Sequence, residues 1–472
     1  MRKLLIIFTA IISSSIGFSQ QEPKSFTLQE AIDFALENNR TAMNASRDIE
    51  AAKQQKWETT ATGLPQLNAN IDYQNFLKQQ VSLLPASAFD PFGGIRQLED
   101  YYDLDALQTQ ELPAAPEGFI PVTFGTKQTV NATATLSQLI FDGSYLVGLQ
   151  SAKVFLDISK NAKTKTDLEV RKSVINAYGN VLLAKESVGI LESNIAVLEK
   201  NLYETQKIYE NGLGEEESVE QLQITLSSVK SNLNNTKRLQ KLAYQMLNIT
   251  LGLDVYDAIE ITDDLETLTN ANMSMALLNA DTNAQNTIDY QIAENDKISK
   301  ELLVKLEKSK ALPNLSAFLR GGYNGNSNSF TFLNSDQQWF GSALVGVSLN
   351  IPIFSSGMRS AATQRAKINL EKAETDLIET EQRLQLEIES AKSNYQFAIE
   401  DYQNKKDNLA LAERIEQKNE TKFFEGIGSS FELRQAQTQL YTAQQELLQA
   451  MLDVINSKAE LETVLNTITS QY

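Results

Sequence analysis

The 472-residue chain contains no cysteine and no histidine. Without cysteine there is no structural disulfide, no thiolate metal ligand, no thiol nucleophile and no lipidated cysteine anchor. Without histidine the usual general base and the commonest transition-metal ligand are missing, so catalysis would have to rest on carboxylates, lysines or hydroxyls alone. These absences argue against hydrolytic and redox chemistry, and the chain reads as a non-enzyme with no cofactor and no metal. Long apolar runs are also lacking: beyond residue 19 none reaches the ~18 residues that a membrane-crossing helix requires. If the mature chain crosses a bilayer, strands must do it. Proline is scarce, nine in all, and none falls between Gly143 and Asn211. A helix there could run unbroken for roughly 100 Å.

What is present is acidic and amphipathic. Lys and Arg number 42 against 60 Asp and Glu, a net charge of -18, with 42% hydrophobic residues. Such a surface repels nucleic acid and anionic lipid, while the apolar content suffices for an extensive core. Residues 1–19 carry the pattern of a secretory signal: Arg2 and Lys3, the apolar run Leu4 to Ile12, then Gly17-Phe18-Ser19. Cleavage before Gln20 removes Arg2 and Lys3 and takes the net charge from -18 to -20. This places the mature chain in a cell envelope.

The sequence then repeats itself. GLPQLNANI at 63–71 resembles ALPNLSAFL at 311–319, TLSQLIFDGS at 135–144 resembles SLNIPIFSSG at 348–357, and KIYENGLG at 207–214 resembles KFFEGIG at 422–428. The order is the same in both, so 20–252 and 289–472 read as two structural repeats of helix, two strands, long helix, glycine-containing break and helix. The polar segment 253–288, with one short strand-like piece, reads as a linker forming a small side domain. Strands are expected over about 64–77, 128–141, 313–324 and 340–353 from apolar residues at every second position, such as Leu67, Ala69, Ile71 and Tyr73 against Asn68, Asn70 and Asp72. Their length suits a tilted membrane strand, with one apolar and one mostly polar face. A soluble sandwich with one wet face has the same pattern. Tyr73, Phe76, Tyr323, Phe330, Phe332, Trp339 and Phe340 gather near strand ends, as an interfacial aromatic girdle would. Residues 78–127, which hold most of the prolines and Gly93-Gly94, join the first two strands as a long extracellular loop. Four strands are too few to close a membrane barrel, which needs about eight, so several copies must share one.

The helices carry steps of three and four. Ala177, Val181, Ala184, Val188, Leu191, Ile195, Leu198 and Leu202 form one seam, and Leu384, Ile388, Ala391, Tyr395, Ala398 and Tyr402 its counterpart. Val219, Leu222, Leu226, Val229 and Leu233 continue the first half, and Leu433, Ala436, Leu440, Ala443, Leu447, Ala450 and Val454 the second. Thr27-Leu28-Gln29-Glu30 is a capping box opening the first mature helix, with Phe26 placed as its hydrophobic staple.

In these segments the chain resembles the TolC family of outer-membrane efflux proteins: the opening TLQEAIDFALENNR, the strands beginning at Leu64-Pro65 and Leu312-Pro313, the turn Ile351 to Phe354, and Phe423 to Leu440. The resemblance covers essentially the whole mature chain. It implies a mainly helical fold with membrane strands: a homotrimer sharing a barrel of about twelve strands, and a coiled-coil tunnel across the periplasm. It further implies docking through a periplasmic adaptor to an inner-membrane pump of the resistance-nodulation or ABC class, with iris-like opening of the inner tip. The family's tip carboxylates follow the glycine turn. Counted from Gly426, Glu432 holds the first such place and neutral Gln435 the second, while in the first half Glu215, Glu216, Glu217 and Glu220 cluster beyond Gly212. Gathered by threefold symmetry, they would form an acidic gate ring; glutamates at a helix start also serve simply to complement its dipole. A membrane-anchored trimeric coiled coil with a structural or adhesive role is the competing reading, and cargo is not legible.

Overall fold

The computed structural model describes residues 24–102, 113–279 and 283–467. The expected signal segment lies outside the described residues. The chain opens with strand β1 (Lys24–Phe26), helices α1 (Leu28–Asn38) and α2 (Arg40–Ala61), strands β2 (Gln66–Asn75) and β3 (Val81–Pro85), and helix α3 (Gly93–Tyr102). Strands β4 (Phe119–Thr123) and β5 (Gln128–Asp142) lead into helices α4 (Gly143–Glu210) and α5 (Glu216–Leu251). Next come strand β6 (Ile259–Ile261) and helices α6 (Leu265–Asn272), α7 (Met275–Leu278) and α8 (Ile288–Ser309). Strands β7 (Asn314–Ser327) and β8 (Trp339–Asn350) and helices α9 (Met358–Phe424) and α10 (Ser430–Leu465) complete it.

The helices flanking the strands match in length between the two halves, α2 and α8 having 22 residues each. Helices α4 and α9 have 68 and 67 residues, and α5 and α10 have 36 each. The strand-to-helix transitions differ. In the first half α4 follows β5 directly, because Asp142 caps it by accepting from the amides of Ser144 (2.6 Å) and Tyr145 (3.1 Å). In the second half the chain crosses Ile351 to Gly357, where Ser356 and Gly357 are left-handed, and the Arg359 guanidinium donates back to the carbonyls of Pro352 and Ile353.

Two compact units emerge, and one of them, Trp57–Leu149 with Leu306–Ala361, carries the four long strands and the β3–β4 pair. Its sheet has the order β2-β5-β7-β8, antiparallel throughout. The bulge between Leu139 and Phe141 lies beyond the last β2–β5 pair, Gln66 with Ser137, while β5 stays paired with β7 through Asp142. The 78–127 connection is not plain loop. It contains the β3–β4 hairpin, with Leu83 opposite Pro121, and α3, whose Arg96 pairs with Asp90 at 2.8 Å.

The other unit is helical. Its core joins Val174, Ile175, Tyr178, Val181 and Leu182 of α4 to Leu384, Ile388, Ala391 and Tyr395 of α9 and to Val454, Ile455 and Leu461 of α10. A second cluster closes Leu191 and Leu198 on Leu222, Leu226 and Val229 of α5. Val181, Leu191, Leu198, Leu222, Leu226, Val229, Leu384, Ile388, Ala391, Tyr395 and Val454 are the residues spaced at three and four, while Val174, Ile175, Tyr178, Leu182, Ile455 and Leu461 lie beside that seam and widen the buried stripe. Alanine at Ala391, Ala398, Ala436 and Ala443 lets the helices approach closely. The expected capping box is present: the Thr27 amide donates to Glu30 Oε2 (2.8 Å) and the Glu30 amide to Thr27 Oγ1 (3.3 Å). Phe26 is buried, its ring 5.3 Å from that of Phe34. Strands β1 and β6 pair in parallel, and the Tyr178 hydroxyl fastens this pair to α4, donating to the Phe26 carbonyl at 2.9 Å and lying 2.9 Å from Asp263 Oδ2.

One feature of this core carries no apolar pattern. Glu462, fully buried, accepts from Arg171 at 2.7 Å and lies 3.6 Å from Lys458, whose ammonium donates to Asn272 Oδ1 at 2.9 Å. Burial pulls the Lys458 ammonium below the usual lysine range, against the attraction of Glu462. Removing the shared anion would take from Arg171 and Lys458 the carboxylate that both face. Glu462→Ala is therefore expected to destabilise the fold by about 3–5 kcal/mol, read as a lowered thermal midpoint by circular dichroism; an unchanged midpoint would refute this account of the triad.

Candidate functional site

The register of the sheet sorts its side chains into two faces. Across the four strands one face presents Leu67, Leu136, Leu319 and Val345, then Ala69, Ala134, Gly321 and Ala343, then Ile71, Ala132, Tyr323 and Gly341, then Tyr73, Val130, Gly325 and Trp339. Four successive rungs contain no charged or amide side chain. The opposite face presents Asn68, Thr135, Arg320 and Leu344, then Asn70, Thr133, Gly322 and Ser342, then Asp72, Asn131, Asn324 and Phe340. On it Asn131 and Asn324 hydrogen-bond across strands.

Neither face is covered. Every residue of β2 is exposed, and so is all of β8 except Gly346. Leu67, Ile71, Val345 and Val347 are 65–80% exposed, which in water would forfeit roughly 1.5–3 kcal/mol per side chain. Strands β2 and β8 also each have one unpaired edge among the described residues. An apolar face without a lid, flanked by two open ladders of amides, is incompatible with a finished water-soluble sandwich. It fits a sheet whose apolar face meets lipid and whose edges meet further strands.

At one end of the apolar face the aromatics converge. Tyr73 and Trp339 occupy the two ends of one rung, and Phe332 bridges them, its ring 6.0 Å from Tyr73 and 6.3 Å from Trp339. Phe330 closes the group at 5.9 Å from Tyr73 and 5.7 Å from Phe332. A glycine is needed beneath: a Cβ on Gly325 would lie 3.0 Å from Trp339 and 3.3 Å from Phe332. Tyr323 lies one rung below on the same face. Phe340, next to Trp339, points to the polar face by strand alternation. Phe76 lies beyond β2, its amide donating to the Lys127 carbonyl at 2.9 Å. The bridging role of Phe332 has no periodic signal in sequence, because a turn folds it back.

The glycine turns between long helices are built alike. Gly212 (φ +73°) and Gly426 (φ +78°) take left-handed backbone, and the next amides return to the preceding helix, Leu213 to the Ile208 carbonyl (3.1 Å) and Ile427 to that of Lys422 (3.0 Å). The following helices start differently. Glu215 is the N-cap of α5 without a side-chain bond, and Glu216 and Glu217 fill its first turn, with Glu217 Oε1 accepting from Gln221 at 2.7 Å. Glu220 is exposed on the next turn. In α10 Ser429 and Glu432 form a second capping box: the Glu432 amide donates to Ser429 Oγ (3.2 Å) and the Ser429 amide to Glu432 Oε2 (3.1 Å). Glu432 is thus committed to its own helix end, and Gln435 follows on the first turns. The signal was present as S-x-x-E at Ser429, the same pattern that located Thr27.

Residues 293–467 match the sequence family described as outer membrane efflux protein. Outer membrane protein TolC of Vibrio cholerae is 24% identical over 357 residues, spanning 72% of this chain and 78% of that protein. Solved structures share the fold. That of CusC superposes with a TM-score of 0.70 at 17% identity over 93% of this chain and 92% of its own. The open state of the MtrE outer membrane channel of Neisseria gonorrhoeae gives 0.68 at 15% identity over 93% and 89%. VceC of Vibrio cholerae gives 0.67 at 15% identity over 93% and 96%.

The second capping box has a pH signature. Hydrogen bonds from Ser429, its backbone amide first, hold the Glu432 carboxyl below its ordinary value of 4.5. The stabilisation is therefore present above that ordinary value and lost as pH falls through the depressed one. Hydrogen exchange at the Glu432 amide is expected to quicken in Ser429→Ala at neutral pH. In the native chain the cap should open only in acid; exchange unaffected by Ser429→Ala would dismiss the cap.

Proposed function

We propose that this chain, whose residues 293–467 match the outer membrane efflux protein family, is an outer-membrane exit duct in which sister copies complete one barrel and one helical tunnel. The observation that carries this is the uncovered sheet: four apolar rungs aligned in register, with unpaired edges on β2 and β8. A bilayer supplies the missing lid, and a sister strand the missing amide partners. Three copies of four strands give about twelve, wide enough for a lumen, whereas two give about eight, which side chains fill. The aromatic group around Phe332 suits the interface between hydrocarbon and headgroups.

The chain has no cofactor chemistry in this scheme and does no work of its own. A periplasmic adaptor and an inner-membrane pump supply cargo and energy, and the tip at Gly212 and Gly426 opens and closes like an iris. The acidic residues Glu215, Glu216, Glu217, Glu220 and Glu432, with neutral Gln435, form its rim. The two glycine turns support a hinge there, since each ends a helix within a single left-handed residue.

Purified mature protein is expected to need detergent, to run as a trimer by light scattering, and to give discrete conductance steps in planar bilayers. A monomer that dissolves freely without detergent would end this reading. A detergent-requiring trimer without conductance would instead favour a structural coiled coil with a membrane anchor.

A further inference from the structure

The four long strands carry only three formally charged side chains, Asp72, Asp142 and Arg320. Asp142 is occupied in capping α4 and accepting from Asn314 at 2.6 Å. Asp72 and Arg320 remain, and the register puts both on the polar face. Arg320 is exposed. Its Nε donates to Thr135 Oγ1 at 3.3 Å, and its guanidinium lies 5.9 Å from the centre of the Phe318 ring, which packs over Gly346. No carboxylate pairs with it among the described residues. Asp72 accepts only from the side chain of Asn70, at 2.6 Å.

A cation without a carboxylate partner among the described residues is conspicuous on a chain of net charge -18, and on a polar face that otherwise carries amides, hydroxyls, glycine, the apolar Phe318, Phe340 and Leu344, and Asp72. We propose that Arg320, repeated by sister copies around the barrel, forms a cationic ring that sets the lumen's preference for anionic, carboxylate- or phosphate-bearing solutes, opposed by a separate ring of Asp72. This rests on the duct reading, which turns the polar face inward. Spacing makes the rings distinct: Asp72 shares a rung with Asn324, and Asn324 stands four residues from Arg320, or about 13 Å along a strand. That exceeds the ~8 Å Debye length at physiological salt, so one ring does not cancel the other. A barrel of about twelve tilted strands has a backbone radius of about 12 Å. The arginine side chain reaches inward from that wall, so the field extends to the axis.

Three screened unit charges about 10 Å from the axis shift the anion-to-cation ratio about threefold. In planar bilayers under a potassium chloride gradient, Arg320→Gln is therefore expected to lower the chloride-to-potassium permeability ratio about threefold. Arg320→Glu should lower it further, Arg320→Lys should preserve it, and Asp72→Asn should raise it. Conductance with a ratio indifferent to all four changes would overturn the ring while leaving the duct intact. Native protein without conductance would overturn both. Trimer formation by each variant, checked by light scattering, separates lost selectivity from lost assembly. A ratio that falls equally in Arg320→Lys would assign the effect to side-chain packing on Phe318 and reject the charge.

Discussion

Everything in the strand unit depends on one unmet demand, the backbone amides and carbonyls along the outer edges of β2 and β8. In water such edges are tolerable; beside an apolar face in lipid each unpaired group costs several kcal/mol. Among the described residues neither edge is met within the chain, because the four long strands are consumed in a single antiparallel sheet. Closure by sister strands, as proposed, would meet the demand without adding a single side chain. The apolar rungs supply the complementary condition, since the face from Leu67 to Trp339 gains nothing from water.

The helical unit is governed by a different economy. Alanine-rich seams, two glycine turns and two capping boxes fix where each helix begins, ends and touches its neighbour. The one buried charge cluster among the described residues, Arg171, Lys458 and Glu462, adds little net stability when intact but penalises any arrangement that separates α4 from α10. That makes it a specificity element, holding the last turns of α10 to the start of the α4 seam and, through Asn272, to α6. The side sheet of β1 and β6 is anchored on the same helix by Tyr178, so the linker between the halves is fastened rather than loose.

The two glycine turns show how near-identical geometry admits different chemistry. Both use a left-handed glycine followed by an amide that returns to the helix. One then relies on three consecutive glutamates facing the helix dipole, the other on a serine and glutamate that satisfy each other's backbone. The acid content of the tip is thus partly structural, with Glu432 bound up in its cap and Glu216, Glu217 and Glu220 left to face solvent.

The sequence alone determined the periods: two for the strands, three and four for the helices, and the internal repetition that let each half be read from the other. It located Thr27 as a cap, the seam residues from Ala177 and Leu384 onward, and all four long strands, because local periodicity reports directly which side of an element is dry. Tertiary structure decided what periodicity cannot encode. Cross-strand register aligned Leu67 with Val345 and placed Arg320 and Asp72 on one face, a turn brought Phe332 between Tyr73 and Trp339, and helix packing met Arg171 with Glu462 from 291 residues away. Each of these joins residues distant in the chain, and their energies arise only when backbone pairing has fixed which neighbours they have.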